Sequence, residues 1–274
     1  MNGIIIVDKE KNMTSFDVVH ELSKVFNTKR IGHTGTLDPI ATGVLVCTIG
    51  KYTKLNEILT STYKEYTAEM VLGEQKNTYD IEGITINSSD KVVSNEDIIN
   101  VINSYQKKYN QEVPIYSSVK VNGMKLYQYA RQGINVELPK REVDIKEIEV
   151  LEINDKTIKF RALVSKGTYI RSLINDIGVS LGTFAYMTNL RRTKQGDFNI
   201  EDSYTLDDIK NNKYKLLDLE DVLDIEVIEC DDTLYKQINN GIKQDNNHEY
   251  VLYKYNNIDI SLYKNGEMFI YLNN

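Results

Sequence analysis

Cysteine is scarce in this chain: Cys47 and Cys230 are its only two, far apart, and with only three histidines they offer neither a disulfide framework nor zinc-ligand spacing. No apolar run approaches the ~20 residues that a membrane-spanning helix needs. The short apolar run in "MNGIIIVDKEK" has no basic residue ahead of it and an acid close behind, which argues against a signal peptide. No internal repeat is present, and the richness in Asn and Lys is a bias of composition, not a low-complexity tract. Net positive charge is missing too: 33 basic residues face 40 acidic ones, for a formal charge of -7 and a pI near 5.2. These absences leave a cytoplasmic enzyme or binding protein without structural metal. Its 274 residues, 41% hydrophobic, suffice for one large domain with a small appendage.

The acidic balance speaks against a nucleic-acid partner until its distribution is considered. Residues 218–232, "DLEDVLDIEVIECDD", hold eight acids and no base, and without them the chain has 33 bases against 32 acids. Four other windows carry bases and no acids: 27–37 (Lys29, Arg30), 114–136 (Lys120, Lys125, Arg131), 165–171 (Lys166, Arg171) and 186–196 (Arg191, Arg192, Lys194). A polyanion partner is permitted by this pattern, though any protein surface carries uneven charge.

Apolar periodicity places the elements. "GIIIVDK" and "GVLVCTIG" read as buried strands, and "TSFDVVHELSKVF" as a helix capped by Thr14 or Ser15. "KYTKLNEIL", "SNEDIINVINSYQKKY" and "KLYQYARQG" are further expected helices, the second opened by Ser94-x-x-Asp97 and the third closed by Gly133. In "TYKEYTAEMVLG" the residues Tyr66, Ala68, Met70 and Leu72 share one strand face with Lys64, and "TIKFRALVS" alternates the same way. "KGTYIRSLINDIGVSLG" predicts a helix capped by Thr168 with the stripe Ile170, Leu173, Ile174 and Ile177. Helices and strands mix without regular alternation, so the fold class is α+β. Composition shifts near residue 205, and the last 50 residues read as short strands around an Asn-Gly turn. The expected division is a domain over 1–222 and a small β-rich domain over 223–274.

One stretch is unusual. "RIGHTGTLDPIATGVL", residues 30–45, packs Gly32, Gly35, Gly43, Pro39 and a single carboxylate, Asp38, into an otherwise small or apolar loop ahead of a strand. Glycine lets the backbone turn sharply or approach a ligand. An isolated carboxylate there can cap its own turn, serve as a base, or attack an electrophilic carbon. Glycoside hydrolysis is disfavoured, because it normally takes two carboxylates and no second one stands nearby.

The segment "GHTGTLDPIATGVL" resembles the catalytic motif of the bacterial tRNA pseudouridine-55 synthases, the TruB family. Four further segments resemble the same family and occur in its order: "KEYTAEMVLG", "VPIYSSVKVNGMKLYQYARQG", "SKGTYIRSLINDIG" and "LRRTKQGDF". Together they span about residues 3 to 200. One departure is "DKEKNMTS", where Glu10 and Asn12 stand at the family's usual Pro and Gly places. The C-terminal 50 residues resemble the family's small RNA-binding, PUA-like domain only weakly and are short for it.

The resemblance implies a mixed, largely antiparallel sheet with flanking helices, and conversion of uridine 55 in the tRNA T-loop to pseudouridine. It implies Asp38 as the essential carboxylate, Arg171 as the partner that holds it charged, and Tyr66 against the uracil ring. His33 would pack against everted nucleotides and Leu190 line the base pocket, while Lys64, Tyr116, Lys120 and Tyr169 would support the site or touch RNA. The reaction is an isomerisation, so no cofactor or metal is expected. The expected partner is the tRNA T-arm, with no membrane and no obligatory protein partner, for a monomer. Two alternatives keep the resemblance: a synthase directed to ribosomal RNA, and a tRNA-folding factor whose catalysis is dispensable.

Overall fold

The strand Lys64–Leu72 alternates buried and half-buried residues along its whole length, and Thr157–Val164 does the same from Ile158 on. They pair antiparallel, with Tyr66 opposite Ala162 and Met70 opposite Ile158, so both inward faces fall on one side. The computed structural model describes residues 1–60 and 63–273. Its main sheet runs Gly3–Lys9, Thr42–Ile49, Ala185–Gln195, Lys64–Leu72, Thr157–Val164, Lys140–Asn154, Lys108–Glu112. The short strands Ile31–His33 and Phe198–Asn199 pair at its margins. Among the described residues, every strand pairing of this main sheet is antiparallel except one. Where Thr42–Ile49 meets Ala185–Gln195 the strands run parallel, joined at Arg191 opposite Thr42 and Arg192 opposite Gly43.

Over the alternating strands, the helices Ile170–Leu181 and Asn95–Ser104 close one core. Leu173, Ile174, Ile177, Ile98 and Ile102 pack there against Met70, Ile158 and Phe160. The strands Gly3–Lys9 and Thr42–Ile49 are covered on both faces, which is why they read as continuous apolar runs. One face (Ile5, Val7, Leu45, Cys47) meets Val18 and Leu22 of the helix Ser15–Val25. The other (Ile4, Ile6, Val44, Val46) meets Leu252, Leu262 and Ile270 of a second sheet. That second sheet is β-rich as expected: Glu226–Glu229, Tyr250–Tyr255, Ile258–Lys264 and Glu267–Tyr271 in that order. Its hairpins turn at Asn256–Asn257 (φ 53° and 59°) and Asn265–Gly266 (φ 49° and 80°). Two successive positive φ values match the strand twist in two-residue hairpins, and Asn and Gly tolerate them.

Three sequence expectations need adjustment. Thr168 does not cap its helix. Tyr169 holds the cap position without a side-chain bond, and the Thr168 hydroxyl instead donates to the Ser165 carbonyl (2.8 Å). The helix opened by Ser94 stops at Ser104, and Lys108–Glu112 leaves it as a strand paired with Lys140–Asn154. "KYTKLNEIL" begins as a 3-10 turn over Gly50–Leu55 and becomes α-helical only at Asn56–Thr60.

Candidate active site

The loop 34–41 sits at the parallel junction of the main sheet, and each of its corners is tied down. Gly43 has φ 102°, and a Cβ there would come 2.2 Å from the Arg192 carbonyl oxygen, so only glycine permits this strand approach. Arg192 is buried; its Nε donates to the Val44 carbonyl (2.6 Å) and its Nη2 to the Gly35 carbonyl (3.0 Å). The Leu37 N–H donates to Ser15 Oγ (2.9 Å), and the Asn12 N–H to the Pro39 carbonyl (2.8 Å). Asn12 lies in the left-handed region at φ 68°. Asn is the side chain that enters that region most readily after Gly, so the departure from the family pattern leaves this turn intact. Beneath it Lys9 is buried, its Nζ donating to the Met13 (2.6 Å) and Glu10 (2.9 Å) carbonyls. Burial pushes the Lys9 ammonium down to about 8, against the opposing pull of Asp38.

Held this way, the loop presents the Asp38 carboxylate with 38% of its side chain exposed. Arg171, only 5% exposed, places Nε 2.9 Å from Asp38 Oδ2. The rest of its guanidinium is committed elsewhere. Nη1 donates to the Thr78 carbonyl (3.0 Å) and lies 3.6 Å from Asp80 Oδ2, and Nη2 donates to the Tyr116 carbonyl (3.1 Å). Asp80 is itself buried, and its Oδ1 accepts from the Thr78 hydroxyl (2.6 Å) and the Glu82 N–H (3.2 Å). Arg171 therefore ties the 78–80 turn and the Tyr116 carbonyl to the loop and turns its Nε–H toward the exposed carboxylate. A fork fixed at three points aims that fourth contact with little rotational freedom.

Asp38 and Arg171 open into a cavity of about 560 Å³. Tyr66, Lys64, Tyr116, Tyr169 and Leu190 line it with them, so seven of the nine residues singled out from the sequence share one chamber, and Lys120 is not among its lining residues. His33 does not line it. It lies on Ile31–His33 opposite Cys47, with Nδ1 buried and without a hydrogen-bond partner. Burial, with the nearby Arg192 charge adding to it, holds the imidazole below its ordinary range and favours the neutral ring. Lys64 Nζ donates to the Thr60 carbonyl (3.2 Å), and burial brings its ammonium down to about 8, reinforced by Arg192 and Lys166. Among the described residues lining the cavity Asp38 is the one carboxylate, so these residues do not assemble the paired acids of a glycosidase.

Sequence reading missed Asp80, Lys9 and Arg192 as parts of this site. Asp80 carried no motif, Lys9 stood within "DKEKNMTS" without being singled out, and Arg192 was legible only as one base among several in "LRRTK". What marks them is charge without exposure, which periodicity does not reveal.

A family model described as TruB family pseudouridylate synthase (N terminal domain) matches residues 23–170. A second, tRNA pseudouridylate synthase B C-terminal domain, matches 171–234. A protein named tRNA pseudouridine synthase B from Clostridium tetani is 43% identical over 89% of this chain and 86% of its own. The namesake from Lactobacillus acidophilus is 38% identical over 98% and 96%. Among solved structures, a Cbf5-Nop10-Gar1 complex aligns at TM-score 0.69 and 27% identity, covering 96% of this chain and 78% of that one. An H/ACA RNP bound to a substrate RNA containing 2'-deoxyuridine aligns at 0.67 and 26%, covering 96% and 77%.

Proposed function

Because the chain belongs to the TruB family of pseudouridylate synthases and acts as a tRNA pseudouridine synthase, we propose that its target is uridine 55 in the T-loop and that turnover depends on Asp38. The observation that carries this reading is the Arg171 Nε–Asp38 Oδ2 contact of 2.9 Å at a cavity lined by Tyr66 and Leu190.

The reaction breaks the N1–C1′ bond, turns the uracil, joins C5 to C1′, and moves the C5 proton to solvent while N1 gains one. No atom is gained or lost overall, so the chemistry asks for a carboxylate, a pocket and a place for the base to turn. A uridine inside a folded arm must first leave its stack to reach the cavity. Asp38 then attacks the nucleotide, at the sugar or the base, or takes the 2′-proton, while Arg171 fixes its direction. Tyr66 and Leu190 enclose the uracil, and the hydroxyl of Tyr66 is available at the ring. Lys64 and Tyr169 line the same chamber and support the site or touch the RNA, and the neutral His33 packs against the everted nucleotides.

The wider reading is a cytoplasmic monomer that grips the T-arm unaided, with residues 1–222 as the catalytic domain and 223–274 as a small RNA-binding appendage. The decisive assay is tritium release from tRNA carrying 5-tritiated uridine, followed by mapping of the modified position. Release with pseudouridine at 55 is the expected result. Release at another position would move the target, and no release from folded tRNA would reject the catalytic reading.

A further inference from the structure

Ser117 is 7% exposed, lines the cavity that holds Asp38 and Arg171, and its hydroxyl is buried without a hydrogen-bond partner. A buried hydroxyl normally finds a partner, because leaving water without one costs free energy. The backbone on either side of it is fixed. The Tyr116 carbonyl accepts from Arg171 Nη2 (3.1 Å), and the Ser117 carbonyl accepts from the Tyr127 N–H (3.1 Å). The hydroxyl therefore cannot relieve its situation by moving the chain. It is held in place, at the chamber where a nucleotide must sit, with its donor and acceptor capacity unspent.

We propose that Ser117 is a substrate-binding residue whose hydroxyl is satisfied only when the everted uridine enters the cavity. This rests on the function proposed above. A hydroxyl both donates and accepts, so it can serve a carbonyl oxygen or an N–H of uracil, or a ribose hydroxyl, and can change partner as the base turns. The contact adds recognition at the reacting nucleotide, whereas contacts to the rest of the arm hold the tRNA as a whole.

Stability and activity should separate in Ser117→Ala. Removing an unpartnered buried hydroxyl takes nothing from the free protein, so its melting temperature should stay the same or rise by up to about 3 °C. The single-turnover rate on tRNA at saturating enzyme should fall about tenfold, with tRNA affinity within about twofold of wild type. A Ser117 that merely supports the fold gives the reverse pattern, a lower melting temperature with a proportionate loss of activity, and that result overturns the proposal. So does a wild-type single-turnover rate. Wild-type protein that fails to turn over the same tRNA rejects the functional reading itself, and this assignment with it, so the two failures are told apart.

Discussion

Asp38 and Arg171 divide the work of one contact, and two substitutions separate their parts. In Asp38→Asn the amide is nearly isosteric and still accepts from Arg171 Nε, so loop and fold should persist. It is nonetheless a far poorer base and nucleophile. We expect no detectable turnover and tRNA affinity close to wild type. An aspartate that only caps its turn predicts full activity instead, since Asn caps as well. Residual activity in a folded, mass-verified variant would defeat the assignment. For Arg171, truncation to Ala is a poor test because it strands the buried Asp80 carboxylate without its cation. Arg171→Lys keeps the charge but cannot reach Thr78, Tyr116 and Asp38 at once. It should lower the single-turnover rate by roughly 100-fold, on the order of 2.7 kcal/mol, with affinity changed less than about threefold. Loss of affinity with a normal rate at saturation would make Arg171 a phosphate contact. Both residues were legible because each sits inside a contiguous motif. Asp80 was not, since its meaning lies in a partner brought from the far side of the chain; the neighbouring Thr78 carbonyl is 93 residues from Arg171.

The helix Ile170–Leu181 shows what periodicity reads and what it omits. Its stripe Ile170, Leu173, Ile174 and Ile177 was visible at helical spacing and is buried as expected. Its start was misplaced, because the hydroxyl of Thr168 had a nearer carbonyl at Ser165 to bond than the helix N-terminus. The strand Lys140–Asn154 escaped notice for another reason. Register shifts after Ile145 and Val150 break the period of two that marks a strand in sequence. Asp176, on the same helix, was equally silent, and it has a measurable consequence. Burial pushes its carboxyl up to about 6, with the Tyr109 hydroxyl (3.1 Å) opposing and Glu112 reinforcing the rise. The unfolded chain ionises near 4, as an ordinary aspartate does. Between those values the folded protein holds the extra proton. The contribution of Asp176 is therefore most favourable below about pH 4 and is lost as pH rises through about 6. Asp176→Asn keeps an acceptor for Tyr109 and removes the cost of ionising. Allowing for partial solvent exposure, the variant should gain roughly 1–2 kcal/mol over wild type at pH 7. That advantage should shrink toward zero near pH 4, measured by urea unfolding at both values. An offset that does not vary with pH would show that Asp176 ionises freely.

Charge on the scale of the whole molecule decides how an acidic protein can hold a polyanion. The sequence showed the acids gathered in 218–232, and the structure distributes them over the link to the second sheet, its strand Glu226–Glu229 and the helix cap Asp231. What the sequence could not show is which bases are already used. Arg171 and Arg192 are buried at the active site, and Arg191 pairs with Asp8 at 2.8 Å. Of the four basic windows, Lys29, Arg30, Lys120 and Arg131 remain exposed. The phosphate contacts must come from residues of this kind, so tRNA affinity should fall steeply with salt despite the pI of 5.2. Neutralising about five phosphates gives a slope of roughly -4 in log affinity against log salt. Asp38→Asn should keep that slope, because its side chain contributes no phosphate contact. Lys29→Gln with Arg30→Gln should reduce its size by about 1–2, and the rate at saturating enzyme should hold, since neither residue lines the cavity. Filter binding across a tenfold range of potassium chloride measures all three. A wild-type slope indistinguishable from zero would mean that the exposed basic residues do not face the RNA. The protein would then have to hold its tRNA by the everted nucleotide and the loop bases around it.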